Sequence, residues 1–320
     1  MTKKIILITG DPNSINSEIV FKCWKKLSKQ VRKKIYFVSN YNLLKAQFKI
    51  LNYKIKLKNV KNVRDNIKTN KLKVLNIDLN YKNPFKVSQN EASKFIIKSL
   101  NFSHKLGLEK DILGIINCPI NKNLLNKKIG VTEYLANKCN VKDNTEVMLI
   151  RNKSLAVAPI TTHLDIKQVS KKIEILTIIK KVKTINDWFK KMFNKKPKIA
   201  ILGLNPHNAE LRINSEERKI IIPAIKKLKK FNIKLTGPHV SDTFFINEYK
   251  TVDVVVGMFH DQVITPFKTI FKFDAINITL GLKYLRVSPD HGVATNLIRK
   301  KKADSTSLFK CINFINKFGK

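Results

Sequence analysis

No run of apolar residues in this 320-residue chain approaches the roughly 20 that a membrane-spanning helix needs, so no membrane partner is expected. The N-terminal MTKKIILITGD sets two lysines before an apolar run. That run ends at Gly10-Asp11 after about five residues, too short for the apolar region of a signal peptide, and it reads as a first strand. Cysteine is scarce: Cys23, Cys118, Cys139 and Cys311 lie far apart with no C-x-x-C pair, the pattern of reduced thiols in a cytoplasmic protein. Glycine is sparse too, and neither a Walker A motif nor the G-x-G-x-x-G of a standard dinucleotide site is present. A nucleophile elbow and an H-E-x-x-H pair are also missing. No Pro- or Gly-rich linker, internal repeat or low-complexity tract divides the chain.

Acidic residues number only 23 against 63 basic ones, a formal net charge of +40. Such a charge attracts phosphate backbones and small anions alike. Arginine, the residue suited to bidentate phosphate and base recognition, supplies only seven of the 63, and the lysines run through every segment without forming a block. Lys, Ile and Asn together make up 130 residues, all encoded by A/T-rich codons, so mutational drift accounts for the composition without selection for a polyanion. No specific nucleic-acid partner is expected, whereas an anionic small substrate would be drawn in by the field.

With 43% hydrophobic residues the chain can bury a core, and its length predicts two domains or one large α/β unit. Apolar runs of strand length fall at residues 5–9, 35–39, 74–77, 112–117, 147–150, 156–160, 199–204, 252–258 and 275–280. Helical patterns lie between them, at 17–29, 90–106, 166–183, 216–231 and 305–318. In the first, Val20, Trp24, Leu27 and Val31 recur every three or four residues and make one apolar face. This alternation predicts a largely parallel, helix-covered sheet.

Three of the apolar runs end in a polar turn carrying one of the chain's six histidines: LAVAPITTH (His163), KIAILGLNPH (His207) and VDVVVGMFH (His260). A buried strand delivers its last residues to one rim of a sheet, where ligands of open α/β sheets collect. A single histidine at a strand end is more often a hydrogen-bonded structural residue than a ligand. Three neutral imidazoles at one rim would make a divalent-metal site, with Thr161-Thr162, Asn205-Pro206 and Asp261-Gln262 to orient them.

Lys268, Asn277 and Arg286 supply charge and an amide suited to a phosphate or carboxylate. Lys268 by itself reads more readily as one of 56 lysines on solvated faces. Arg286 is harder to dismiss, because arginine is rare here and it precedes an Asp290-His291-Gly292 turn. Asp242, in GPHVSDTFF, suits a helix cap as well as catalysis. The turn TGDPNSINSE that begins around Gly10 presents backbone N–H groups to an anion.

Taken in order, TTHL, LGLNPH, GP…SDTFF, M-F-H-D-Q, Lys268, NITLGL, R-x-S-P-D-H-G and the closing KADSTS resemble the motifs of the 4-hydroxythreonine-4-phosphate dehydrogenase family of pyridoxal 5′-phosphate biosynthesis. The resemblance runs from Gly10 nearly to the C-terminus and is strongest over residues 161–307. It implies an α/β fold of the isocitrate/isopropylmalate dehydrogenase type, two α/β domains with a cleft between them. Residues 1–120 with 266–320 would form the cofactor side, and 121–265 the domain carrying metal ligands and dimer interface. It further implies a homodimer with a shared active site, NAD or NADP as cofactor, and Zn2+, Mg2+, Mn2+ or Co2+ as divalent metal. The implied reaction oxidises the C3 hydroxyl of 4-phosphooxy-L-threonine; the β-keto acid then loses CO2 to give 3-amino-2-oxopropyl phosphate.

By match to the family's motifs, His163, His207 and His260 are the metal ligands, His260 reaching the site from the neighbouring subunit. Thr132, Lys268, Asn277 and Arg286 fall on substrate-binding positions. Asp242, Asp261 and Lys268 are the candidates for taking the hydroxyl proton. Gly10, Asp290, His291, Gly292 and Asp304 fall on the cofactor side.

The chain departs from the family's pattern in three places. Val131-Thr132-Glu133 stands where the family has His-Thr-Glu, so an imidazole that would touch substrate is missing. The Gly-rich first turn reads Gly10-Asp11-Pro12-Asn13-Ser14-Ile15-Asn16-Ser17, and the loop after His207 is shortened to NAELRINSEE. Val131 keeps open a paralogue that oxidises a related phosphorylated hydroxy acid, 4-phospho-threonate or 4-phospho-erythronate. A polycation binding nucleic acid on a retired enzyme scaffold is the third reading, disfavoured by the intact histidine set.

Overall fold

The computed structural model describes residues 3–64, 69–125, 130–141 and 145–319. Residues Met1–Cys139 and Leu282–Lys320 form one compact unit, and Asn140–Gly281 another.

The first unit opens with β1 (Lys4–Ile8), buried at every position, as a strand covered on both faces must be. The helical pattern over 17–29 resolves into α1 (Asn16–Lys26) and α2 (Lys29–Lys34). Leu27 turns extended, and the Ser28 hydroxyl accepts from the Val31 N–H at 3.3 Å to start the second helix. Then come β2 (Ile35–Ser39), α3 (Tyr41–Ile50), β3 (Leu57–Val60), β4 (Leu72–Asn76), α4 (Gln89–Gly107), β5 (Ile112–Asn117) and α5 (Val131–Lys138).

The second unit contains β6 (Val147–Arg151), β7 (Ala156–Thr161), α6 (Ile166–Lys172), α7 (Ile175–Phe193), β8 (Ile199–Leu202), α8 (Ile222–Lys229), β9 (Leu235–His239), α9 (Ser241–Phe244), β10 (Val254–Phe259), α10 (His260–Phe271) and β11 (Ile276–Leu280). The chain then returns to the first unit with β12 (Arg286–Pro289) and α11 (Thr306–Phe318).

In the first unit the strand order is β3-β4-β2-β1-β5-β12, with the paired strands running parallel. The second unit runs β11-β6-β7-β10-β8-β9 and is parallel from β7 onward. Here β6 lies antiparallel to both neighbours, a local exception to the parallel expectation. The cause is a tight turn: Asn152 Oδ1 accepts from the N–H groups of Ser154 and Leu155, both at 2.8 Å, and reverses the chain without a crossover helix. Strands β3, β9 and β12 escape the sequence reading because they are four or five residues long and two of them carry few buried apolar side chains. The helical pattern over 166–183 likewise divides, at Ile173, into α6 and α7.

All four cysteines are buried and free. Burial pushes the Cys23 thiol up to about 12, which keeps it protonated and unreactive.

Candidate active site

In the second unit, β7 and β10 pair in parallel with Phe259 opposite Thr161, so both strands end at the same rim. The Thr161 hydroxyl donates to the Met258 carbonyl at 2.8 Å and locks that rim. His163 follows two residues later at positive φ (52°), and His260 is the first residue of α10. Their ring centroids lie 6.0 Å apart. His260 Nδ1 is 2.6 Å from Asp261 Oδ1, a contact that fixes the ring and leaves Nε2 facing away from the carboxylate.

β8 runs along the other side of β10 and brings the loop bearing His207 to the same end of the sheet. His207 Nε2 stands 3.8 Å from Asp242 Oδ2, both side chains well exposed. The backbone from His207 to Leu211 holds positive φ at five successive positions, a conformation that disfavours L residues. Glu217, fully buried, anchors the start of this loop by accepting from the N–H groups of Leu204 and Asn205, both at 2.8 Å, and from the Asn205 amide at 3.0 Å. Desolvation pushes the Glu217 carboxyl upward, but these hydrogen bonds outweigh it and hold the group below the ordinary range.

Gln262 ties the pieces together. Its amide nitrogen donates to the Gly203 carbonyl at 2.6 Å and to the Ser241 hydroxyl at 2.7 Å, while its oxygen accepts from the Met258 N–H at 2.6 Å. One side chain therefore fixes the ends of β8 and β10 and the start of α9, which carries Asp242. Lys268 lies half-buried on α10, and Asn277 sits on β11 opposite Ile150 with its side-chain oxygen buried and without a hydrogen-bond partner among the described residues. Among the described residues of a single chain, no group of three metal-ligating side chains converges on one point.

In the first unit, Arg286 on β12 is buried, and it donates from Nε to Asn117 Oδ1 at 2.7 Å and from a terminal nitrogen to Thr132 Oγ1 at 3.3 Å. The expected partners Thr132 and Arg286 thus meet, joined by Asn117 at the end of β5, which sequence reasoning missed. Burial lowers the guanidinium to about 10, opposed by Glu133, Tyr284 and Cys311, so it stays charged at neutral pH. Val131 opens α5 and packs partly buried against the apolar core of this unit.

Gly10 (φ 75°) could not carry a side chain: a Cβ would lie 2.6 Å from the Pro119 carbonyl oxygen and 2.9 Å from that of Cys118. The turn it starts reaches the loop at 290–293, where Ile15 N–H donates to the Val293 carbonyl at 3.2 Å. Asp290 N–H donates to Ser307 Oγ at 3.0 Å, His291 Nδ1 lies 2.9 Å from the Gly292 carbonyl, and Gly292 is exposed. Asp304 accepts from Thr306 N–H at 2.9 Å and Thr306 Oγ1 at 2.7 Å, a capping arrangement at the start of α11. Asp11, another residue sequence reasoning passed over, is buried beside Gly10, and desolvation raises its carboxyl against hydrogen bonds from the Asn13 and Asn121 backbone.

The family profile described as pyridoxal phosphate biosynthetic protein PdxA matches residues 30–315. The chain belongs to the PdxA family. It is 38% identical over 315 residues to the 4-hydroxythreonine-4-phosphate dehydrogenase of Sulfurihydrogenibium, covering 97% of this chain and 96% of that one. It is 35% identical to the Aquifex aeolicus enzyme of the same name, over 98% of both chains. Its fold matches a crystal structure of 4-hydroxythreonine-4-phosphate dehydrogenase from Klebsiella pneumoniae with a TM-score of 0.84 at 25% identity, over the whole of both chains. This PdxA-family chain is therefore an oxidoreductase of pyridoxal phosphate biosynthesis, and a dehydrogenase family implies a nicotinamide cofactor. No helix among the described residues is long and apolar enough to cross a membrane.

Proposed function

We propose that this chain oxidises 4-phosphooxy-L-threonine at C3 with NAD or NADP and releases CO2 to give 3-amino-2-oxopropyl phosphate, using a divalent metal. The observation that carries the metal reading is that β7, β8 and β10 end at one rim and bring the turns bearing His163, His207 and His260 there, with Asp261 on Nδ1 of His260. The donor chemistry, imidazole with carboxylates behind it, suits Zn2+ and also admits Mg2+, Mn2+ or Co2+.

His207 completes the set, which we assign to two copies of the chain, with His260 contributed by the second. Support comes from Ile166 (69% exposed) and Ile213 (72%), which lie close in sequence to the histidine-bearing turns. Exposed apolar side chains at such positions suit an interface.

When bound, a divalent cation would supply a Lewis acid for the reacting oxygen, and a nicotinamide would supply a hydride acceptor. The chain's own residues do the rest. Arg286, Thr132 and Lys268 hold the charged ends of the substrate, and Asn277 offers its unpartnered oxygen to a substrate donor. Asp261 is committed to His260, which leaves Asp242 and Lys268 to take the hydroxyl proton. Gly10, Asp290, His291, Gly292 and Asp304 form the cofactor side in the first unit.

The test is NADH formation and CO2 release from 4-phosphooxy-L-threonine by the metal-loaded protein, with loss of both in His260→Ala. The packed Val131 favours one second reading, a related phosphorylated hydroxy acid as substrate. Turnover of 4-phospho-threonate or 4-phospho-erythronate without turnover of the amino acid would select it.

A further inference from the structure

Apart from the residues assigned above, the first unit carries an open cavity of about 430 Å³ on the outer side of α1. Phe21 and Trp24 form its aromatic wall, and Arg32, Lys54, Lys56 and Lys71 surround it with positive charge; among the described residues no acidic one lines it. In a chain with 56 lysines a ring of lysines alone would mean little.

Arginine is different. One of only seven in the chain stands here, with its guanidinium 5.4 Å from the Trp24 ring centre. Its terminal nitrogen donates to the Lys25 carbonyl at 3.1 Å, and its Nε is buried without a hydrogen-bond partner among the described residues. Next to the wall, Tyr53 stacks on Phe21 (centroids 4.0 Å, rings parallel), and its hydroxyl is likewise buried and unpartnered. A neighbouring cavity of about 360 Å³ shares Phe21 and Lys25 but includes Asp304, whose carboxylate disfavours an anion; the larger cavity has no such obstacle.

We propose that this cavity is a second ligand site for a small heteroaromatic phosphate, its ring against Phe21 and Trp24 and its phosphate on the outer edge of the Arg32 guanidinium and the surrounding lysines. The volume suits a ligand of that size, and arginine is the residue that serves both a flat ring and a phosphate. Two sources share this chemistry: a nucleotide, and a vitamin B6 phosphate from the pathway that the family serves.

The experiment is calorimetric titration of the full-length protein with AMP, pyridoxine 5′-phosphate, inorganic phosphate and a single-stranded oligonucleotide. Pyridoxine phosphate has no aldehyde, so it cannot condense with surface lysines. At least one of the two heteroaromatic phosphates is expected to bind tenfold or more tightly than inorganic phosphate, and the preferred one names the source. Arg32→Ala is expected to weaken that binding at least tenfold, and Arg32→Lys, which keeps the charge but loses the planar fork, nearly as much. Dehydrogenase kcat and KM should stay unchanged in both. Equal binding of inorganic phosphate would overturn the proposal, as would unchanged affinity in folded Arg32→Ala. Tighter, salt-sensitive binding of the oligonucleotide would overturn it in favour of a nucleic-acid surface.

Discussion

Gln262 and Arg286 show how much of the site depends on side chains that hold others in place. Gln262 satisfies groups at the ends of β8 and β10 and at the head of α9. Gln262→Leu keeps the volume but strands a donor and two acceptors, and each buried unsatisfied group costs about 1–3 kcal/mol. The expected outcome is a loss of stability of about 2–4 kcal/mol in urea titration. A fall in kcat larger than the change in KM should accompany it, because the His207, His260 and Asp242 segments lose their common tie. Arg286 poses a sharper geometric demand. Arg286→Lys cannot reproduce donation to both Asn117 and Thr132, so KM for the phosphorylated substrate should rise about ten- to a hundredfold with the fold intact. An unchanged KM in steady-state assays would remove Arg286 from the substrate-holding group.

At the scale of elements, the strands are buried so completely that a charge within one becomes visible in the pH dependence of stability. Lys73 on β4 is 1% exposed; its ammonium donates to the Lys33 carbonyl at 2.6 Å and lies 3.8 Å from the Tyr36 ring centre. Burial, with Lys4 adding to it, lowers this lysine from 10.5 to about 8. Between about pH 8 and 10.5 the unfolded chain binds the proton and the folded chain does not, so the Lys73 contribution to stability rises with pH across that window. Below pH 8 the group is charged in both states and the desolvation cost is fully present. Lys73→Met is therefore expected to stabilise the protein at pH 7 by about 1–3 kcal/mol. That advantage should shrink as pH approaches 10.5, measured as the difference in unfolding free energy between variant and parent. The turn after β1 answers to steric contact instead. Gly10→Ala would press a methyl group onto the carbonyls of Cys118 and Pro119, and should lower stability by about 1–3 kcal/mol by the same urea titration.

For the whole molecule, the decisive question is whether the site belongs to one chain or two. If His207 and His260 serve one metal from different copies, His207→Ala and His260→Ala are each inactive alone. Mixing and refolding the two together should then restore up to about a quarter of the parental activity, because half the dimers are mixed and each carries one intact site. No recovery from well-folded mixtures that sediment as dimers would place all three ligands within one chain.

Much of this was legible along the chain, for reasons that are local. Ile5 to Ile8, Val254 to Val256 and Ile199 to Leu202 announce buried strands because strand periodicity and burial are written into neighbouring residues. The histidines at the ends of those runs were legible for the same reason, as were Gly10 and the scarce Arg286. Glu217 and Asn117 carried no comparable signal, since an acid or an asparagine looks like any other until its partners are known. Those partners are set by pairing between remote segments: Thr161 bonds Met258 across 97 residues, and Arg286 bonds Asn117 across 169. Sequence alone therefore determined the family and the kinds of element, because these depend on composition and short-range pattern. Only the tertiary structure decided that β7 and β10 lie side by side, setting His163 beside His260, and that β6 turns back as a hairpin. Strand order is a choice among non-local hydrogen-bonded pairings that no short stretch of chain contains.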